Sequence, residues 1–100
     1  MSIKLVMRWN VRPETESEYF EFLVHEFIPG MNHLGVADIQ VWYTAYGKRE
    51  QKLASGVTQS VEGMHRVLRS QEWEDMIGRL TSFVDGYSQK IIPATRGFQI

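Results

Sequence analysis

The sequence predicts an α+β fold, a four-stranded antiparallel sheet with helices on one side, in the order strand, helix, strand, strand, helix, strand. Three observations predict it. Residues 3–11 alternate, with Ile3, Leu5, Met7, Trp9 and Val11 on one parity and Lys4, Val6, Arg8 and Asn10 on the other, the period of a strand with one apolar face. Two later stretches, from Pro13 and from Ser60, repeat apolar residues at helical spacing. Between them, Gly35 to Gly47 reads as a strand with large side chains on both faces: Ile39, Val41 and Tyr43 share one parity, Trp42 and Tyr46 the other. One set of helices covers one face, so the second cover is expected from another copy of the chain.

After the first strand, Pro13, the acids at 14, 16 and 18, and the Thr15/Glu18 pair mark a helix start with a capping box. At 100° per residue, Phe20, Leu23, Val24, Phe27 and Met31 form the inward stripe. Tyr19 and Phe22 fall outside it, an outward aromatic pair available to a second subunit or to the C-terminal tail. Pro29-Gly30 should kink or end this helix, with a short turn to Leu34-Gly35. The strand at 36–46 turns at 47–50 into a returning strand at 52–59, a hairpin. Ser60 caps a helix to about residue 70, with Val61, Met64, Val67 and Leu68 inward. Ser70 caps a second segment in which Trp73, Met76, Ile77, Leu80, Val84 and Tyr87 repeat at helical spacing. Residues 88–100 read as an edge strand, where Pro93 is tolerated. This order is the split βαβ, or ferredoxin-like, arrangement, in one domain spanning 1–100.

Composition removes several functions. The 100 residues, 43% hydrophobic, suit one packed core. Eleven basic and twelve acidic residues, with the arginines scattered, leave no tract for a phosphate backbone, so no nucleic-acid partner is expected. The absence of cysteine excludes disulfides, thiol nucleophiles and thiolate metal sites. No apolar run is long enough to span a bilayer. A start at Met-Ser-Ile-Lys leading into a strand carries no signal peptide. A cytoplasmic protein without a membrane partner is therefore expected.

The stretch Phe20…Pro29…Leu34-Gly35-Val36 leading into the second strand, together with Leu68-Arg69-Ser70-Gln71-Glu72-Trp73, resembles the dimeric α/β-barrel superfamily. The resemblance covers nearly the whole chain and is one of architecture. It implies two ferredoxin-like subunits packed sheet to sheet. The superfamily includes antibiotic-biosynthesis-type monooxygenases that need no cofactor, haem-degrading monooxygenases, lactone isomerases and stress-responsive proteins. For the haem-degrading branch, Asn10 matches in place an asparagine late in the first strand. However, Val67 stands where a tryptophan is required and Ile77 where the haem-ligating histidine is required. That branch is disfavoured, and no cofactor is expected. The Asn10 match would turn Val6, Arg8 and Asn10 toward the helices, whereas hydrophobic alternation turns Ile3, Leu5, Met7 and Trp9 there; the sequence leaves both placements open.

Candidate chemistry is sparse. His25, one turn after Glu21, reads as half of an exposed pair, and His33 falls in a loop. His65, Asn10 and Tyr43 are the candidate catalytic groups, because each could orient a reacting atom inside an apolar cavity. Trp9, Trp42 and Trp73 are candidate ligand-binding residues for a flat molecule, although each is also explained by core or interface packing. The histidine spacing supplies no metal motif, and no hydrolase elbow, phosphate loop or dinucleotide fingerprint is present. Two functions remain. One is a homodimer that binds a small hydrophobic or aromatic molecule in the cleft between sheet and helices, with cofactor-independent monooxygenase-like activity as its catalytic form. The alternative is a non-catalytic dimerisation or regulatory module with no substrate.

Overall fold

In the computed structural model, which describes the backbone of residues 1–46 and 49–94 and the side chains of 1–43 and 51–94, strand β1 (Ile3–Val11) lies inside a sheet ordered β2-β3-β1-β4. All three strand pairs are antiparallel. The partners are β2 (Ala37–Tyr46), β3 (Arg49–Thr58) and β4 (Val84–Pro93). Ile3, Leu5, Met7 and Trp9 are buried beneath the helices. Hydrophobic alternation therefore decides the orientation of β1, and Lys4, Val6 and Arg8 belong to the opposite, helix-free face. The Asn10-based placement is not the one adopted.

The first helical stretch departs most from expectation. A short 3-10 turn (Pro13–Thr15) leads into α1 (Glu16–Phe22), a π-turn (Leu23–Phe27) and α2 (Ile28–His33). The Ile28 N–H donates to the Leu23 carbonyl, five residues back. A π-turn winds more slowly than an α-turn and shifts every later side chain backward around the axis. The buried line is accordingly Tyr19, Phe22, Leu23, Phe27 and Met31, while Phe20 is 60% and Val24 40% exposed. Tyr19 and Phe22, expected outside, are core residues. The wide turn lies immediately before Pro29, whose ring crowds the carbonyl four residues back in a regular α-helix, and the helix runs on to His33 instead of ending at Pro29. It closes at Gly35 (φ 102°), with the Gly35 N–H on Asn32 O and the Val36 N–H on Met31 O, the bond pattern of a Schellman cap. At the other end no capping box forms. The Thr15 hydroxyl has two carbonyl acceptors within reach of its one proton, Phe83 O at 2.8 Å and Arg12 O at 3.1 Å.

Helices α3 (Val61–Arg69) and α4 (Gln71–Leu80) are separated at Ser70. Ser60 Oγ accepts from the Gly63 N–H and Ser70 Oγ from the Trp73 N–H, so both serines cap as the sequence predicts. Met64, Val67, Trp73 and Leu80 point inward, and Val61 is exposed. Val84 and Tyr87 are strand residues: α4 stops at Leu80 and β4 begins at Val84, earlier than expected. The Arg12 guanidinium helps fix this change of direction, donating to Thr81 O and Val84 O beside the Asp85 carboxylate. β4 then bulges, its register with β1 shifting between Arg8 and Asn10 around Gly86 (φ 66°). The part of the expected edge strand at 95–100, the hairpin tip at 47–48 and the Tyr46 side chain lie outside the described residues.

Between sheet and helices the space is filled. Trp9 is fully buried, with Tyr19 and Phe27 edge-on to it and Tyr87 stacked at 6.2 Å. Phe27 also meets Trp73 and Phe22. The Trp9 indole N–H donates to the Tyr19 hydroxyl at 3.1 Å. Burial pushes the Tyr19 hydroxyl above its ordinary pKa, the bond from Trp9 offsetting this in part, and burial raises Tyr87 as well. The folded chain thus keeps these phenols neutral at a pH where the unfolded chain ionises them, near 10. Stability is fully present below that pH and is lost as pH rises beyond it. We expect the urea midpoint, followed by tryptophan fluorescence, to fall between about pH 9 and 11, with a shallower fall in Tyr19→Phe; a midpoint level across that range would contradict the shift.

Candidate functional site

A concavity of about 760 Å³ lies on the helix-free face of the sheet. Its position follows from strand register. Arg8 stands opposite Leu53, and Leu53 opposite Trp42; Val6 stands opposite Ser55 and Lys90; Lys4 stands opposite Ile92. Side chains two residues apart share a face, so these positions line one surface. Val6, Trp42, Leu53 and Ile92 give it an apolar floor; Lys4, Arg8 and Lys90 supply cations; Gln40 and Ser55 add neutral polar groups. The volume falls within the range of small-molecule sites. This is an apolar surface with positive charge, suited to holding a molecule. Among the described residues that line it there is no imidazole and no carboxylate, the groups that most often serve as a general base.

The candidate groups do not converge. Asn10 lies against the β4 bulge, its Nδ2 facing Gly86. Tyr43 is 59% exposed, with the Lys52 ammonium 4.7 Å from its ring centre. His65 is exposed on α3. None of the three lines the concavity. The tryptophans divide likewise: Trp9 and Trp73 lie in the interior on either side of Phe27, and Trp42 lies on the open face. The cleft expected between sheet and helices is occupied by the chain's own side chains, with Phe27 of the π-turn edge-on to Trp9 and Phe22 packed against Phe27. Lys4, Val6, Arg8, Leu53, Lys90 and Ile92 were not singled out by sequence. The parity of β1 contained the signal for the first three; Lys90 and Ile92 needed the register of β4.

Two smaller concavities, about 430 and 360 Å³, flank the Arg79–Glu26 ion pair on the outer side of the helices. His25 pairs with Glu21 at 3.6 Å, both exposed. Among the described residues no three His, Asp or Glu side chains gather as a metal site requires, and no helix is long and apolar enough to cross a membrane.

No protein-family model matches the chain. No curated protein matches it in sequence. Solved structures do match. A variant of SnoaB, a cofactor-independent oxygenase from Streptomyces nogalater, superposes with a TM-score of 0.75 at 12% identity, over 96% of this chain and 95% of that one. A proposed antibiotic biosynthesis monooxygenase from Deinococcus radiodurans gives 0.73 at 17% identity, over 100% and 98%. A NIPSNAP family protein from Agrobacterium tumefaciens gives 0.66 at 18%, over 95% and 87%. At such identities the likeness establishes the fold alone, and the chain has a ferredoxin-like fold, shared with these structures.

Proposed function

We propose that the chain acts as a homodimer that binds a small hydrophobic or aromatic molecule, and that the ligand lies on the open face of the sheet and not in the cleft between sheet and helices. The observation that carries this reading is the concavity of about 760 Å³ around Trp42, Leu53 and Val6. The opposite side of the sheet is closed by Leu5, Met7, Trp9 and Phe27, all fully buried. A second copy set against the same face would turn two open concavities into one enclosed chamber, since facing sheets stand about 10 Å apart. Monooxygenase-like activity is the finer form of the proposal. In it the substrate supplies the reducing electrons, and the cations of the open face hold the negative charge that develops on it. With no imidazole or carboxylate among the described lining residues, binding is the better supported half.

Thermal-shift measurements with flat aromatic acids, quinones and haem, alongside light scattering, test the reading. A rise in Tm with at least one class is expected, because a ligand that binds only the native state stabilises it. The rise should vanish in Trp42→Ala. Scattering should give twice the mass of the chain. A silent screen with a dimeric mass would favour the module without a substrate, a reading supported by the apolar floor of Val6, Trp42, Leu53 and Ile92, which a second copy could cover by itself. A monomer at micromolar concentration would remove the dimer.

A further inference from the structure

We infer that the open face selects an anion: a ligand with an apolar body, roughly 10–14 Å from end to end, that carries a carboxylate or an equivalent oxyanion at one end. The inference rests on the open face being the binding site, and it concerns which chemical class that site takes.

Charge is sorted between the two sides of this protein. The helical segments from Glu16 to His33 and from Val61 to Leu80 carry eight carboxylates and three arginines. Among the described residues, the concavity on the other side is lined by three cations and no carboxylate. Ion pairs join Arg12 to Asp85 and Arg79 to Glu26, and His25 lies 3.6 Å from Glu21. Lys4, Arg8 and Lys90 take part in none of these. Asp38 lines an adjoining, smaller concavity that shares Lys4, Gln40 and Ser55 with this one, so Arg8 and Lys90 are the cations set apart from it.

The cations are also separated from the largest apolar group. Trp42 is on β2 and Leu53 on β3, whereas Lys4 and Arg8 are on β1 and Lys90 on β4. Neighbouring strands are about 4.8 Å apart, so the span from Trp42 is about 10 Å to β1 and about 14 Å to β4. A body of two or three fused rings covers that distance with its flat side on Trp42 and its charged end among the cations. Guanidinium and ammonium groups form charge-assisted bonds with oxyanions, about twice as strong as neutral ones. A second copy alone would bring the same three cations to this face, setting like charge against like. An anion offsets them.

The test uses the full chain with anthracene-2-carboxylate and its uncharged counterpart, anthracene-2-carboxamide, each followed by its own fluorescence anisotropy at low salt. The acid is expected to bind at least roughly tenfold more tightly, as one charge-assisted bond allows, and added sodium chloride should erode the difference. In the Arg8→Gln/Lys90→Gln variant the preference for the acid over the carboxamide should disappear; both positions are exposed, and circular dichroism checks that the fold persists. Equal affinity for acid and amide overturns the anion inference and leaves the binding reading standing. A preference that survives the double variant overturns the assignment to these cations. Absence of binding by either probe overturns both.

Discussion

Trp9→Ala is expected to destabilise the protein by about 3–5 kcal/mol, the cost of truncating a large aromatic side chain in a packed core. Trp9 is fully buried and its neighbours come from both layers: Tyr19 and Phe27 from the helical side, Tyr87 from β4. Each aromatic pairing adds roughly 0.5–1.5 kcal/mol beyond the area it buries. Loss of the indole also leaves the Tyr19 hydroxyl, only 3% exposed, without its donor, and an unpaired buried polar group costs about 1–3 kcal/mol more. Domains of this size are stable by about 5–15 kcal/mol, so the variant should be partly unfolded at 37 °C. Urea denaturation followed by circular dichroism measures the loss. Trp9→Phe, which keeps a ring and removes the N–H, should fall between the two. A midpoint for Trp9→Ala within error of the parent would show that the interior is looser than described.

Gly56→Ala is expected to cost about 1–3 kcal/mol, as overpacking of a filled core does. A Cβ at Gly56 would come within 2.3 Å of Val36 Cγ1, and Val36 is 1% exposed. Valine is β-branched and stiff at χ1. It is also held by the cap that closes α2, where its N–H bonds to Met31 O. It therefore cannot turn aside. Gly30→Ala makes an equally close approach, at 2.3 Å, but to the Sδ of Met76, an unbranched chain able to change rotamer. Its cost should be smaller. Removing the obstacle in Gly56→Ala/Val36→Ala should restore part of the stability relative to the sum of the two single changes. Strict additivity would mean that the contact is not the cause.

Much of this fold was legible because its signals are local. The alternation of β1, the serines at 60 and 70 and the glycine at 35 each determine their structure within a few residues. The π-turn was not legible in this way. It displaces the helical phase partway along a helix, so a constant 100° step placed Phe20 and Val24 inward and Tyr19 and Phe22 outward, the reverse of what the structure shows. The start of β4 was missed for a related reason. Val84 and Tyr87 continue the helical spacing of α4, and only the Arg12 contacts across the fold and the bulge at Gly86 fix them in a strand. The open face suffered most from this. Its cations come from two strands distant in sequence, and their meeting depends on the register between Val6 and Lys90 and between Lys4 and Ile92, which no local pattern encodes.

The sorting of charge between the two layers makes the molecule an electric dipole. With a formal charge of −1 overall and three positive groups on the open face, the rest of the chain carries a formal −4. The near-neutral total conceals two poles. An anionic molecule approaching in solution is turned toward the sheet and away from the helices before it makes contact.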